Sequence, residues 1–560
     1  MRFARKATAA RVLAVVCAGA LLMASACSGS DDDSPPEGAA EGAGGGGRPA
    51  CDRPAEPAPE VAEVAGTPSD LDVTSFDGTR IRAHWFPLEG AAEGEPAPVI
   101  LMGPGWGQAG DTNVGSTGLL GAASIGSLRE HGFHVLTWDP RGFGESDGTA
   151  EVNSPDAEAR DVGVLLDWVA AQPVVELDGE GDPRSGMIGG SYGGGIQTVT
   201  AAIDCRVDAL VPVMASHSLE TSLYKAGTPK AGWANILNQV AATRPVDPHV
   251  ESASTSMNES GVVSDDDLDW FVERGPGDLV EDITAPTLFI QGTVDTLFTL
   301  DEAITNYRIL RDNDVPTAML WYCGGHGTCL TSGDDAERVD TAALAWLERY
   351  VQGDTGVDTG PRFDFVDQNG ARYTADDYPL EAGTAVTASG SGTLDLLADG
   401  GAGPVTDPPP ALGPDLLRSL VLPVTPAEAA NAVDVPIPAP DEPALLVGAP
   451  TVELSYRGTA GDGDRPTRVF AQLVDTATGL AVGNQVTPIE VTLDGKDHTA
   501  EAELEVISEA VTPDSELALQ LVATTVAYAE PQLGGSVTFE GIDVSLPVAG
   551  DLTPEAPDEG

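Results

Sequence analysis

"SGMIGGSYGGGIQ", Ser185 to Gln197, sets five glycines (Gly189, Gly190, Gly193, Gly194 and Gly195) within four residues of a single serine, Ser191. Glycine weakens strands and helices by roughly 0.5–1 kcal/mol per residue relative to alanine, so this density needs a reason. One reading is a flexible surface loop in which the serine is merely solvated. The other is a strained strand-to-helix turn that holds a serine in an exposed, reactive position. "GGSYG", Gly189 to Gly193, fits G-x-S-x-G. It follows a short apolar strand and precedes the helix-like "GGIQTVTAAI". In so tight a turn, side chains two residues either side of the serine would clash, which accounts for both glycines.

Outward from that turn, the chain alternates apolar runs with helical stretches. "APVILMGPG", "GFHVLTWD", "VDALVPVMAS", "APTLFIQG" and "VPTAMLWYCGG" read as strands. Ala157–Ala171, "AEARDVGVLLDWVAA", repeats apolar residues at i, i+3 and i+4 and predicts a helix. The alternation predicts an α/β domain over about 65–355, built on a mostly parallel sheet covered on both faces. A polar, helical insertion of about 217–282 interrupts it as a short cap. Beyond about Gly353 the texture becomes alternating segments such as "TVELSYRG" and "TRVFAQLVD" between Gly, Pro and Asp turns. That predicts an all-β sandwich over 356–550, with 551–560 as a loose tail.

A serine nucleophile needs a base, and the chain has seven histidines. His84, His131 and His134 lie among strand-like residues before the nucleophile, where a structural role is expected. His249 and His498 sit in polar segments, and His217 follows a strand from which it could line the site. His326 alone falls in a glycine-rich loop, "CGGHGTC", between the final apolar strand and the final helix, Ala336–Tyr350. The base in turn needs a carboxylate to fix its tautomer. Asp295 in "IQGTVDTLF" stands just past a strand and is the candidate, with Asp301 and Glu302 as fallbacks that read better as helix-start residues. For the oxyanion the candidates are the backbone N–H groups of Tyr192 and of Trp106 in "MGPGWGQ".

The 560 residues carry 88 acidic and 28 basic side chains, a formal charge of −60. Such a surface argues against nucleic acid or anionic lipid as a partner, since both demand a basic face. Arg2, Arg5, Lys6 and Arg11 lead into the apolar run "VLAVVCAGALLMA", too short to span a bilayer. The run ends in "ASAC" at Cys27 and enters a Gly/Pro-rich stretch, so 1–27 reads as an export signal and 28–64 as a tether. This end resembles a lipobox with Cys27 as the acylated residue; cleavage after "ASA" and plain secretion is the competing reading. Four cysteines then remain, and outside the cytoplasm an even set favours disulfides in one of three pairings. Cys323–Cys329 would close a short loop around His326, leaving Cys51–Cys205. The C-x2-H-x2-C spacing of Cys323, His326 and Cys329 could also hold a metal, but no fourth ligand is evident, so no metal and no cofactor is expected.

"WDPRGFGESDG" (Trp138–Gly148), "DWVAAQP", "GMIGGSYGGGIQ" and "GGHG" together resemble the X-Pro dipeptidyl-peptidase-like serine hydrolases, which include cocaine-esterase-type acyl esterases. "FDFVDQNGARYTADDYP" and the segments after it are similar to that family's C-terminal jelly roll. The resemblance is dense over about 71–351 and looser beyond. It implies an α/β-hydrolase core with the triad Ser191, Asp295, His326, the chain order expected of that fold. It also implies a small ester, amide or short-peptide substrate. Two departures stand out: the cap is short, and the family's oxyanion tyrosine in the early loop is Trp106 here. An Xaa-Pro aminopeptidase would further need an acidic anchor for a free amine. A reading from another class is a surface-binding lipoprotein with an inactive hydrolase core.

Overall fold

A computed structural model describes residues 64–91, 95–116, 123–331, 335–406, 416–550 and 552–555. The expected export signal, Cys27, the expected tether up to residue 63 and Cys51 lie outside the described residues. A ten-stranded sheet runs in the order β1-β2-β4-β3-β5-β6-β7-β8-β9-β10. Its strands are β1 (Ser69–Thr74), β2 (Arg80–Phe86), β3 (Val99–Gly103), β4 (His134–Trp138), β5 (Ser185–Gly190), β6 (Val207–Val213), β7 (Thr287–Gly292), β8 (Thr317–Tyr322), β9 (Phe363–Val366) and β10 (Arg372–Ala375). From β4 through β9 all neighbours are parallel; β1, β2 and β10 are antiparallel at the two edges.

The apolar runs explain this sheet. Ile100, Val135, Ile188, Val211, Ile290 and Leu320 belong to one buried cluster, and their neighbours Leu101, Leu136, Met187, Leu210, Phe289 and Met319 to another. Successive side chains of a strand point to opposite faces, so a continuous apolar run needs cover on both. Helices α1 (Ile125–Glu130) and, further along the chain, α9 (Ala336–Tyr350) bury Ile125, Leu128, Val339 and Leu347 on the first face. On the second lie α2 (Glu158–Ala170), α3 (Tyr192–Ile203) and α8 (Leu300–Asp312), through residues such as Leu165, Val199 and Tyr307.

Between β6 and β7 the chain leaves the sheet for four helices: α4 (Leu219–Leu223), α5 (Ala231–Ala241), α6 (Pro248–Ser260) and α7 (Asp265–Val272). Among the described residues no helix is long and apolar enough to cross a membrane.

The sandwich pairs a four-stranded sheet (Val386–Asp395, Gly535–Leu546, Thr451–Ala460, Asp494–Glu503) with a second sheet carrying Ala432–Pro436, Leu517–Val522, Arg468–Asp475 and Leu480–Ala481. Thr451–Ala460 alternates exposed and buried residues, the pattern of a sheet wet on one face.

The boundary differs from the one read in the sequence. The α/β sheet does not stop at 355, because β9 pairs in parallel with β8 and turns back as β10. "FDFV" is buried at every position: Phe363 packs edge-on against Trp321 at 4.7 Å, while Asp364 takes Arg338 of α9 at 2.7 Å. A strand buried on both faces belongs inside a covered sheet, and β9 finds its backbone partner there, in β8. The loose tail is also corrected in part, since Glu555 N–H donates to the Arg372 carbonyl of β10 at 2.8 Å and Thr374 Oγ1 donates to the Glu555 carboxylate.

Candidate active site

Ser191 occupies the turn between β5 and α3 with φ 57° and ψ −118°, a left-handed backbone that a non-glycine residue adopts at a cost of order 1–3 kcal/mol. Its N–H donates to the Val213 carbonyl at 2.9 Å, which helps hold that conformation. Gly189 is required by close approach: a Cβ there would lie 2.7 Å from the Gly103 carbonyl oxygen. β3 and the Ser191 turn therefore pack backbone to backbone, and the glycines belong to an ordered elbow.

The loops after β7 and β8 bring Asp295 and His326 to Ser191. Asp295 is fully buried, and His326 keeps 8% of its surface exposed. Asp295 Oδ1 accepts from the N–H groups of Leu297 (2.9 Å) and Phe298 (2.8 Å). Asp295 Oδ2 accepts from His326 Nδ1 at 2.8 Å and from the His326 N–H at 3.0 Å. His326 Nε2 stands 2.7 Å from Ser191 Oγ. With Nδ1–H donating to the carboxylate, Nε2 is the nitrogen left to accept the serine proton. Gly325 permits this fit, since a Cβ there would lie 2.6 Å from Asp295 Cβ. Phe298 and Trp233 flank the imidazole edge-on, with ring centres 5.0 and 5.6 Å away.

Cys323 and Cys329 are joined in a disulfide around this loop. Their sulfurs are taken by each other and the imidazole by Asp295 and Ser191, so the C-x2-H-x2-C spacing does not present a set of metal ligands. Cys205 is disulfide-bonded as well, while Cys51, its expected partner, lies outside the described residues.

The remaining histidines face other partners. His84 bridges Asp70 and Asp139, His131 meets Glu348, His217 meets Asn306, His249 meets Asp267 and His498 meets Asp494. His134 lies between the Leu88 N–H and the Val174 carbonyl. Asp301 and Glu302 both fall in the first turn of α8. Glu302 accepts from the N–H groups of His217 and Ser218, so it holds the start of the cap.

Tyr192 is the first residue of α3, where an N–H has no carbonyl within the helix to receive it. Trp106 donates its indole N–H to the Leu237 carbonyl at 3.1 Å, which leaves its backbone N–H as the group it can offer an oxyanion. The Trp106 ring meets Tyr192 at 5.2 Å and Phe143 at 4.9 Å, both edge-on. Tyr192 in turn donates its hydroxyl to Glu158 Oε1 at 3.1 Å. Glu158 is fully buried, and that burial pushes its carboxyl up to about 7.

Ser191, Trp106 and Tyr192 lie on the wall of a pocket of about 1000 Å³, mouth included, roofed by α4 to α7. Leu223, Leu237, Met257, Phe271 and Phe298 make it strongly apolar. Among the described residues lining it, none carries a charge. Sequence reading missed this lining, because the cap's helices present a mostly polar composition and their inward faces are short.

Residues 77–328 match the family model of the X-Pro dipeptidyl-peptidase (S15 family). A polyketide transferase from Penicillium sp is 29% identical over 147 residues, covering 26% of this chain and 44% of that protein. An uncharacterised 31.7 kDa protein of Escherichia coli is 29% identical over 172 residues, 30% of this chain and 57% of that one. The chain thus spans about half the length of the curated relatives it matches. Among solved structures, a CocE/NonD family hydrolase from Staphylococcus aureus superposes with a TM-score of 0.60 at 13% identity, over 86% of this chain and 93% of that one. An α-amino acid ester hydrolase gives 0.62 at 14% identity, over 87% and 98%. These likenesses extend over the sandwich as well as the sheet, and at such identities they speak for the fold. The solved structures share with this chain an α/β fold followed by a β-sandwich, and within it residues 77–328 are similar to the X-Pro dipeptidyl-peptidase (S15 family), the family that the motifs resembled.

Proposed function

We propose that the protein is an exported serine hydrolase that cleaves an ester or amide bond through an acyl-enzyme. The observation that carries this is the unbroken chain from Asp295 through His326 to Ser191, with both links at 2.7–2.8 Å. Ser191 Oγ attacks the carbonyl carbon as His326 Nε2 takes its proton. Asp295 keeps the imidazole in the tautomer that can accept it. The oxyanion forms against the N–H groups of Tyr192 and Trp106, and His326 then returns the proton to the leaving group. Water repeats the sequence to free the acid.

The uncharged pocket favours a neutral, apolar acyl group. A substrate with a free amino terminus would leave an ammonium without a carboxylate partner there, which is costly in an apolar site. This ranks the acyl esterase above the Xaa-Pro aminopeptidase, even though aminopeptidases share the fold. The intact triad geometry also disfavours a purely binding role. Turnover of p-nitrophenyl acyl esters beside an Xaa-Pro-p-nitroanilide tests the ranking: ester activity should dominate, and hydrolysis of the anilide alone would reverse it. A fluorophosphonate probe should label the wild type and not Ser191→Ala.

Export with acylation of Cys27 is part of the proposal, supported by the basic lead, the apolar run and the small residues before that cysteine. Growth with a clickable palmitate analogue should tag the wild type and spare Cys27→Ser. An untagged protein released to the medium would point to plain secretion.

A further inference from the structure

Two consecutive side chains of the sandwich reach the two loops that carry the acid and the base. Gln485 Nε2 donates to the backbone carbonyl of Asp295 at 2.7 Å. Asn484 Nδ2 donates to the carbonyl of Thr328, two residues past His326, at 3.0 Å. Both side chains are buried, at 7% and 4% exposure. The turn that presents them is itself unusual, with Gly483 at φ 62° and Asn484 at φ 58°. Asparagine tolerates the left-handed region better than most residues, but the conformation still has a cost, and the surrounding structure maintains it.

A second contact ties the sandwich to the underside of the same site. Glu505, buried in the sandwich, pairs with Lys225 of the cap at 2.7 Å, and Lys225 also reaches Asp301 of α8 at 3.5 Å. Nearby, buried Lys230 donates to the Leu297 carbonyl at 2.9 Å, within the turn whose N–H groups hold Asp295.

We propose that Asn484 and Gln485 are positioning residues for the reaction: the sandwich fixes the spacing of the Asp295 and His326 loops. This rests on the serine-hydrolase reading above. The two loops follow adjacent strands and already meet, Thr293 N–H donating to the Tyr322 carbonyl at 2.8 Å and Asp295 accepting from His326; a constraint from outside would hold that meeting fixed while the serine proton is transferred. One rigid turn that bonds to both supplies that constraint. A misplacement of about 1 Å at a reacting centre can cost on the order of 100-fold in rate.

The test uses the full chain and two variants that remove the donors with little other change. Gln485→Met fills nearly the same space without an N–H, and Asn484→Gly keeps the left-handed backbone while deleting the amide. Ser508→Ala is the control, because Ser508 Oγ donates to the Val366 carbonyl at 2.8 Å across the same junction and bonds to neither triad loop. Each of the first two variants should lower kcat for an ester, and the rate of fluorophosphonate labelling, about tenfold, with KM and Tm nearly unchanged. Ser508→Ala should keep the wild-type kcat.

Wild-type rates in both donor variants would overturn the proposal. So would a loss shared equally by Ser508→Ala, or one that follows the folded fraction on warming. Should Gln485→Met fail to fold, Asn484→Gly alone decides, since its backbone is unstrained. A wild type that neither turns over esters or anilides nor takes the probe would instead defeat the underlying reading.

Discussion

Asp295 illustrates how much of this site is backbone geometry. Its two oxygens accept four N–H groups, and only one of these is the imidazole. Asp295→Asn should keep the fold but present an amide N–H where a carboxylate oxygen is needed, favouring the wrong imidazole tautomer. The expected loss in kcat is about 10⁴-fold, read with an ester that the wild type hydrolyses, beside an unchanged circular dichroism spectrum. A loss of tenfold or less would mean that another carboxylate orients His326. Glu158 supports a different test. Burial raises its carboxyl from 4.5 to about 7, so between those values the folded chain binds more protons than the unfolded one. This group's contribution to stability is therefore greatest below pH 4.5 and falls as the pH rises to 7. Glu158→Gln does not titrate, so its Tm minus that of the wild type should become more positive from pH 5 to pH 8. A constant difference would show that the carboxyl is ionised throughout.

At the scale of elements, the elbow and the histidine loop were legible because each leaves a signature in a few adjacent residues. G-x-S-x-G reports a backbone contact that only glycine permits, and "CGGHGTC" frames its histidine symmetrically. β9 and β10 were misassigned for the opposite reason. "FDFVDQNGARYTA" announces a hairpin, but the partner of a hairpin is decided by distant surfaces, here Trp321 and Arg338. Asn484 and Gln485 left no signal at all, since an amide that bonds to a remote carbonyl looks like any other surface amide. The histidine loop yields its own prediction. Cys323–Cys329 closes a short loop, worth roughly 2 kcal/mol on chain entropy, so Cys323→Ser/Cys329→Ser should barely move Tm in a domain this large. Yet the loop carries the base, and its freedom should lower kcat tenfold or more. Full activity in the double variant would assign the ordering of that loop to packing and to Asn484.

At the scale of the whole molecule, charge is the dominant unbalanced quantity. Even if each of the 28 basic side chains pairs with one acid, about 60 of the 88 acids remain without a cation. Some basic groups are spent deep in the fold, as Arg206 with Asp204 at 2.6 Å and Arg141 with Asp161 at 2.7 Å, where salt has little access. The surplus acids are therefore concentrated on the surface and repel one another more strongly in the compact chain than in the expanded one. Screening lengths of about 10 Å at 0.1 M salt shrink to about 3 Å at 1 M, so added NaCl should raise Tm. The form of the rise identifies its cause. Screening has most of its effect by a few tenths molar and then levels off, whereas salting-out of apolar surface grows steadily with concentration. A curve that is steep below about 0.3 M and flat above it is expected from self-repulsion. A straight line through the whole range, or no change, would mean that the acidic surface is solvated without strain on the fold.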